Sequence, residues 1–194
     1  PRLVDIDDDS DLDLFVTYMP NNAGNPDIYS LVAYYQNQGT PSAPDFVSVS
    51  LPTMTNLILP QYAILSFGDL DGDGDQDALM GGYDSASFQW KIDYYQNTND
   101  QQNPVFVLKT GAENPMNGVD IQFAAPSMVD VDGDGLLDCL VGEGRLYTDT
   151  GGAAQNGSVH YFHNIGIDAQ HPAFTEATPL ENPFSGLNSG SFAT

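Results

Sequence analysis

The chemistry available to this chain is almost all carboxylate, and the carboxylates come in one spacing. In Asp69-Leu70-Asp71-Gly72-Asp73-Gly74-Asp75-Gln76-Asp77, acids fall at loop positions 1, 3, 5 and 9, with glycines between them. At roughly 5 Å and an effective dielectric near 20, each pair repels by about 3 kcal/mol, an upper bound for a solvated loop. A sequence keeps such a cluster when a hard cation sits in it. Calcium takes six to eight oxygens in flexible geometry, which short Asp side chains and a backbone carbonyl can supply. The loop reads as a calcium site.

Two further copies make three sites. Asp130-Val131-Asp132-Gly133-Asp134-Gly135-Leu136-Leu137-Asp138 matches closely, and Asp5-Ile6-Asp7-Asp8-Asp9-Ser10-Asp11-Leu12-Asp13 matches at every acidic position. Position 7 holds Asp11, Asp75 and Leu136, a variability expected of a ligand that acts through its backbone carbonyl, whose side chain is free to differ. Glycine at position 6 supplies the left-handed turn. Ser10 stands there in the first copy, which makes that loop the most strained. An EF-hand needs a bidentate Glu at position 12. Val16, Met80 and Val141 occupy it here, which also removes the dockerin type, and the nine-residue period of RTX loops is absent. The residues after position 9, such as Ala78-Leu79-Met80, are apolar, so each loop feeds a strand.

Four Lys and Arg stand against 27 Asp and Glu, a net charge of −23. Such a surface repels phosphate backbones and anionic membranes, which excludes nucleic acid as a partner. No apolar run approaches the length of a membrane span, so membrane insertion is not expected. The chain opens on Pro1, directly before the first loop, and reads as a mature fragment or an internal slice. The single Cys139 can form no internal disulfide and is expected to be a small buried hydrophobe. Loops of this kind fill at the millimolar calcium found outside cells, which points to an extracellular location.

Around the loops the chain repeats, as 1–64, 65–125 and 126–194. Tyr34-Tyr35-Gln36-Asn37, Tyr94-Tyr95-Gln96-Asn97 and Tyr161-Phe162-His163-Asn164 correspond, as do Pro44-Asp45-Phe46, Pro104-Val105-Phe106 and Pro172-Ala173-Phe174. Glu113-Asn114-Pro115-Met116 answers Glu181-Asn182-Pro183-Phe184, and the first repeat lacks this element. Strand-forming runs bounded by Gly, Pro, Asn and Asp divide each repeat into four short strands. In the second repeat they are Ala63–Gly68, Asp77–Gly81, Phe88–Gln96 and Val105–Lys109, and Phe88, Trp90, Ile92 and Tyr94 share one face of the third. The ion would staple the hairpin of strands one and two. The fold class is all-β.

These loops, with the Tyr-Tyr-x-Asn strand ends and the Pro-x-Phe strand starts, resemble the FG-GAP/VCBS family of calcium-binding, integrin-alpha-type β-propeller blades. The resemblance covers essentially the whole chain. It implies tandem four-stranded β-propeller-type blades, with calcium held by Asp5, Asp7, Asp9 and Asp13, by Asp69, Asp71, Asp73 and Asp77, and by Asp130, Asp132, Asp134 and Asp138. A propeller closes with four to eight blades. Three repeats are therefore expected to be part of a larger propeller or repeat assembly, and the phase of the repeats at the two chain ends would allow head-to-tail self-association.

No catalytic residues are expected. Carboxylates holding calcium stay ionised and cannot serve as an acid–base pair. His160 and His163, three apart on one strand, point to opposite faces, and a paired surface role is expected for them. The reading is a calcium-binding extracellular structural or adhesion repeat that acts through assembly, as a filament or surface component. The alternatives are a lectin-like propeller that binds glycans, or the non-catalytic propeller portion of a larger secreted enzyme. Trp90 is the leading sugar-platform candidate, with Tyr83 and Tyr147 behind it, although its strand face favours packing between blades. Asn156-Gly157-Ser158 fits a glycosylation acceptor.

Overall fold

A computed structural model describes residues 1–20, 29–50, 60–98, 104–144, 157–168 and 170–187. Tyr147 and Asn156, and most of the two long insertions between second and third strands, lie outside the described residues. Twelve strands form three four-stranded antiparallel sheets. The first sheet is β1 (Arg2–Val4), β2 (Asp13–Tyr18), β3 (Leu31–Asn37) and β4 (Phe46–Val49). The second is β5 (Gln61–Gly68), β6 (Asp77–Asp84), β7 (Gln89–Asn97) and β8 (Phe106–Lys109). The third is β9 (Ala125–Val129), β10 (Asp138–Gly142), β11 (Val159–Asn164) and β12 (Phe174–Glu176). Each is a meander in chain order, so the all-β, blade-like architecture expected from the sequence is the one observed. The repeat boundary drawn at 64/65 falls inside β5.

The sheets stack in sequence. Phe15 and Tyr34 of the first meet Ala63, Leu65, Ala78, Met80 and Tyr95 of the second in one core. Leu79, Ile92 and Tyr94, on the other side of the second sheet, meet Cys139, Val141 and Phe162 of the third in another. The middle sheet is therefore buried on both faces, and this accounts for the continuous apolar run Ala78-Leu79-Met80 in place of alternation. Gly81 packs against the backbone of Ala124, the residue just before the third sheet. A Cβ there would lie 2.1 Å from the Ala124 carbonyl oxygen, so no larger residue fits without moving backbone.

One expected face differs. β7 starts at Gln89, and Phe88 lies before it in a left-handed conformation (φ +59°), 78% exposed. Its backbone breaks the alternation that would have placed it beside Ile92 and Tyr94. Among the described residues the only helix is the single 3-10 turn Gly111–Glu113, and none is long and apolar enough to cross a membrane.

Candidate metal centres

Each acidic loop joins the first strand of a sheet to the second, and its own carboxylates shape it. The position 1 aspartate turns back on the loop: Asp5 accepts from the Asp9 and Ser10 amides, Asp69 from Gly74, and Asp130 from Gly133 and Gly135. The position 5 aspartate accepts from the amide two residues on, at 3.0 Å from Asp9 to Asp11, 3.1 Å from Asp73 to Asp75 and 2.8 Å from Asp134 to Leu136. This winding needs positive φ at positions 4 and 6. Glycines provide it in the second and third loops, at Gly72, Gly74, Gly133 and Gly135. In the first loop Asp8 (φ +56°) and Ser10 (φ +73°) adopt it against the steric cost of a Cβ, so the strain expected at Ser10 is present and Asp8 adds to it. Ser10→Gly is expected to stabilise the protein by about 0.5–1 kcal/mol in urea unfolding, the left-handed penalty less the entropy glycine loses.

The winding gathers the predicted ligands. One oxygen from each of Asp5, Asp7 and Asp9 lies within 4.8 Å of the others, and the same holds for Asp69, Asp71 and Asp73. In the third loop Asp130, Asp132 and Asp138 form such a group, and Asp132 and Asp134 form another with His163.

Position 9 has a second role that the spacing alone did not reveal. Asp13, Asp77 and Asp138 are all 1% exposed or less. Asp77 accepts from the Tyr94 hydroxyl (2.9 Å), the Asn97 amide (2.8 Å) and the Leu70 amide (3.1 Å). Asp138 repeats this with Tyr161, Asn164 and Val131, and Asp13 with Tyr34 and Asn37. Three of the four lone-pair directions of Asp77 and Asp138 are thus taken by the protein, which leaves one for a cation. The position 9 aspartate ties the loop to the third strand of its sheet.

Position 7 has a feature that the spacing did not reveal: the Asp11 and Asp75 side chains are buried, at 5% and 4% exposed. The first two loops therefore enclose an additional carboxylate that the third, with Leu136, does not have.

Whether these residues suit a hard cation can be judged from their partners. Among the described residues, the Oδ1 atoms of Asp7 and Asp11 in the first loop, and of Asp69, Asp71 and Asp75 in the second, are buried without a hydrogen-bond donor. A buried carboxylate oxygen with no donor is costly, and groups of them facing one loop are tolerable when a cation sits among them. An all-oxygen donor set of this kind fits calcium better than softer metals.

Burial, with neighbouring charges adding to it, pushes Asp75 up to about 7, and burial pushes Asp77 up to about 7 and Asp13 up to about 6. Asp11 and Asp71 are raised as well, by burial first. These groups take up protons on folding at pH values between the ordinary carboxylate range and their raised values. Metal-free protein is therefore expected to lose stability as pH rises from about 4 to 7 and to regain it on acidification. Thermal melts in chelator across that range check the sign, and a melting point that rises with pH in chelator would contradict it.

The profile of the FG-GAP-like repeat matches residues 5–80 and again 69–141, together well over half of the chain. The chain belongs to the FG-GAP-like repeat family. Each match starts at an acidic loop and ends within the strand that follows the next loop, and the two share the loop at 69–77. No curated protein and no solved structure matches the chain.

Within this FG-GAP-like repeat protein, the Tyr-Tyr-x-Asn element supplies the residues that reading for metal ligands missed. Its first aromatic, Tyr34, Tyr94 or Tyr161, donates to the position 9 aspartate. Its third residue reaches position 3. Gln36 donates to Asp7 at 2.7 Å, Gln96 to Asp71, and His163 Nε2 lies 2.9 Å from Asp132. Its Asn side chain closes the turn toward the fourth strand, Asn37 accepting from Asp45, Asn97 from Val105 and Asn164 from Ala173. The repetition of these four residues was the available signal. His160 instead pairs with Glu176 (2.7 Å) and Ser158 (3.1 Å), away from the loop. Cys139 is fully buried, and burial pushes its thiol up to about 12.

Proposed function

We propose that this FG-GAP-like repeat protein is a calcium-stabilised extracellular structural or adhesion element, whose open blade faces dock onto further blades of the same kind. Calcium is the ion that suits five buried, donor-free carboxylate oxygens in loops that offer only oxygen. Its part is to neutralise each loop. The chain's own residues do the rest, since Asp13, Asp77 and Asp138 carry the order of the loop into the third strand. Weak loops of this sort fill where calcium is millimolar, which supports a place outside the cell. No catalytic step is assigned to the chain.

The observation that carries the docking reading is a repeated cross-strand row. Phe67, Ala78 and Tyr95 stand side by side across the second sheet and pack on the first. Met128, Cys139 and Phe162 make the same row in the third sheet and pack on the second. Leu3, Leu14 and Tyr35 make it in the first sheet, where no described sheet covers it and Leu3 is 57% exposed. At the other end of the stack, the third sheet's opposite face carries Tyr161, itself buried with Phe184 packed edge-on against it, and presents half-covered Phe184 and Leu187 at 59% exposed, the counterparts of a face that the second sheet buries. The two open faces are thus the two halves of an interface built twice inside the chain. Their contact between copies is heterologous and yields a ring if its rotation closes and a filament if it does not.

In millimolar calcium, light scattering and electron microscopy should find assemblies larger than one chain. Leu3→Arg or Leu187→Arg, each at a position already exposed, should return monomers with unchanged circular dichroism. Monomeric wild-type protein at high concentration would overturn self-docking.

A further inference from the structure

Backbone strain in this chain is concentrated in two places. Five described residues other than glycine have positive φ. Two are Asp8 and Ser10 of the first acidic loop, and the other three are aromatic: Tyr62 (φ +59°), Phe88 (φ +59°) and Phe123 (φ +51°). A left-handed backbone is a steric outlier for a bulky side chain, and it persists where the surroundings hold it.

Two of these strained aromatics converge on Trp90. The Trp90 ring centroid lies 4.3 Å from Phe123, 5.2 Å from Tyr83 and 6.0 Å from Tyr62, and Tyr62 meets Phe123 edge-on at 5.2 Å. Trp90 and Tyr83 are cross-strand partners on β7 and β6. Tyr62 and Phe123 come from equivalent places in successive repeats, Gln61-Tyr62-Ala63 and Gln122-Phe123-Ala124. In each, the following alanine is buried between sheets while the aromatic turns outward to the cluster. The cluster spans two repeats. It lies at the end of the second sheet where β6 turns into β7, opposite the acidic loop at 69–77.

A core cluster would be covered, and this one is not. Tyr62 is 40% exposed, Trp90, Tyr83 and Phe123 are half-buried, and Phe88, two residues before Trp90, is 78% exposed. The Trp90 indole N–H and the Tyr62 and Tyr83 hydroxyls hydrogen-bond to no described residue. The patch therefore joins apolar ring faces to polar edges that no described residue pairs, the combination found where one side of a surface meets a ligand. Its rings are too closely spaced to enclose a cation between them, so a ligand must lie on their outer faces. The charge of −23 disfavours nucleobases carried on phosphate backbones and acidic polysaccharides. A neutral pyranose meets both conditions, with an apolar C–H face for the rings and hydroxyls for the polar edges.

We propose that Trp90, Tyr62, Tyr83 and Phe123 form a stacking platform for a neutral glycan, independent of the acidic loops. Trp90 is the only tryptophan in the chain, so its fluorescence reports the site directly. Calcium-loaded protein titrated with neutral oligosaccharides of glucose, mannose, galactose and N-acetylglucosamine should show a saturable emission shift with at least one of them. Tyr62→Asn removes a ring while keeping a residue that tolerates left-handed backbone, and it should weaken that binding about tenfold. Calcium binding by Tyr62→Asn should be unchanged, which distinguishes loss of the platform from loss of the fold. No shift with any sugar, or equal binding by the variant, would overturn the proposal. A shift that follows protein concentration without sugar would overturn it as well, since it would assign the patch to contact between copies.

Discussion

Asp77→Ala is expected to destabilise the protein by about 3–5 kcal/mol even in chelator, where no ion is lost with it. The substitution leaves the Tyr94 hydroxyl and the Leu70 and Asn97 amides without their acceptor in a fully buried place. Each unpaired buried donor costs about 1–3 kcal/mol, and removal of a carboxylate that burial has pushed up to about 7 gives part of that back. Asp73→Ala is the contrast. Asp73 is exposed and accepts from the Asp75 amide beside the Asp75 carboxyl, so its loss should cost about 1 kcal/mol or less in chelator and clearly more in calcium. Asp134→Ala should behave like Asp73→Ala. Urea unfolding of the variants in both buffers separates the two roles. If Asp77→Ala and Asp73→Ala lost stability equally in chelator, position 9 would not be the internal clamp described above.

Removal of calcium is expected to be the second large effect. A site filled at ten to a hundred times its dissociation constant contributes about 1.4–2.7 kcal/mol, so three sites contribute about 4–8 kcal/mol. That is a large part of the 5–15 kcal/mol typical of a whole domain. For a chain of this size it should lower the melting temperature by about 10–30 °C. The loss should be steeper at neutral pH than at acidic pH, because protons partly replace the ion on Asp13, Asp75 and Asp77. Scanning calorimetry before and after exhaustive chelation measures it.

Much of this was legible in the sequence because the repeats are in phase. The loop spacing, the strands that flank it and the four-strand unit each recur three times, so local signals that are weak alone agree with one another. The left-handed turn was readable from the glycine at position 6 and its replacement by Ser10. Position 9 was harder, because an aspartate that ligates and an aspartate that accepts from a tyrosine look alike until the third strand is folded beside it. Burial of the Asp11 and Asp75 side chains was not readable either, because variability at position 7 says nothing of where a side chain packs. The aromatic cluster was only half visible. Trp90 and Tyr83 were legible as aromatics of the second repeat, but their pairing depends on β6 running on to Asp84, and Tyr62 and Phe123 arrive through backbone conformations that no propensity favours.

Equilibrium dialysis of the purified chain against radioactive calcium, from micromolar to millimolar, tests most directly the assignment of a cation to each acidic loop. Saturation at three ions per chain is expected, falling to two for Asp73→Ala and for Asp134→Ala with the remaining sites filled as before. No saturable uptake at millimolar calcium, or the same uptake by both variants, would contradict it.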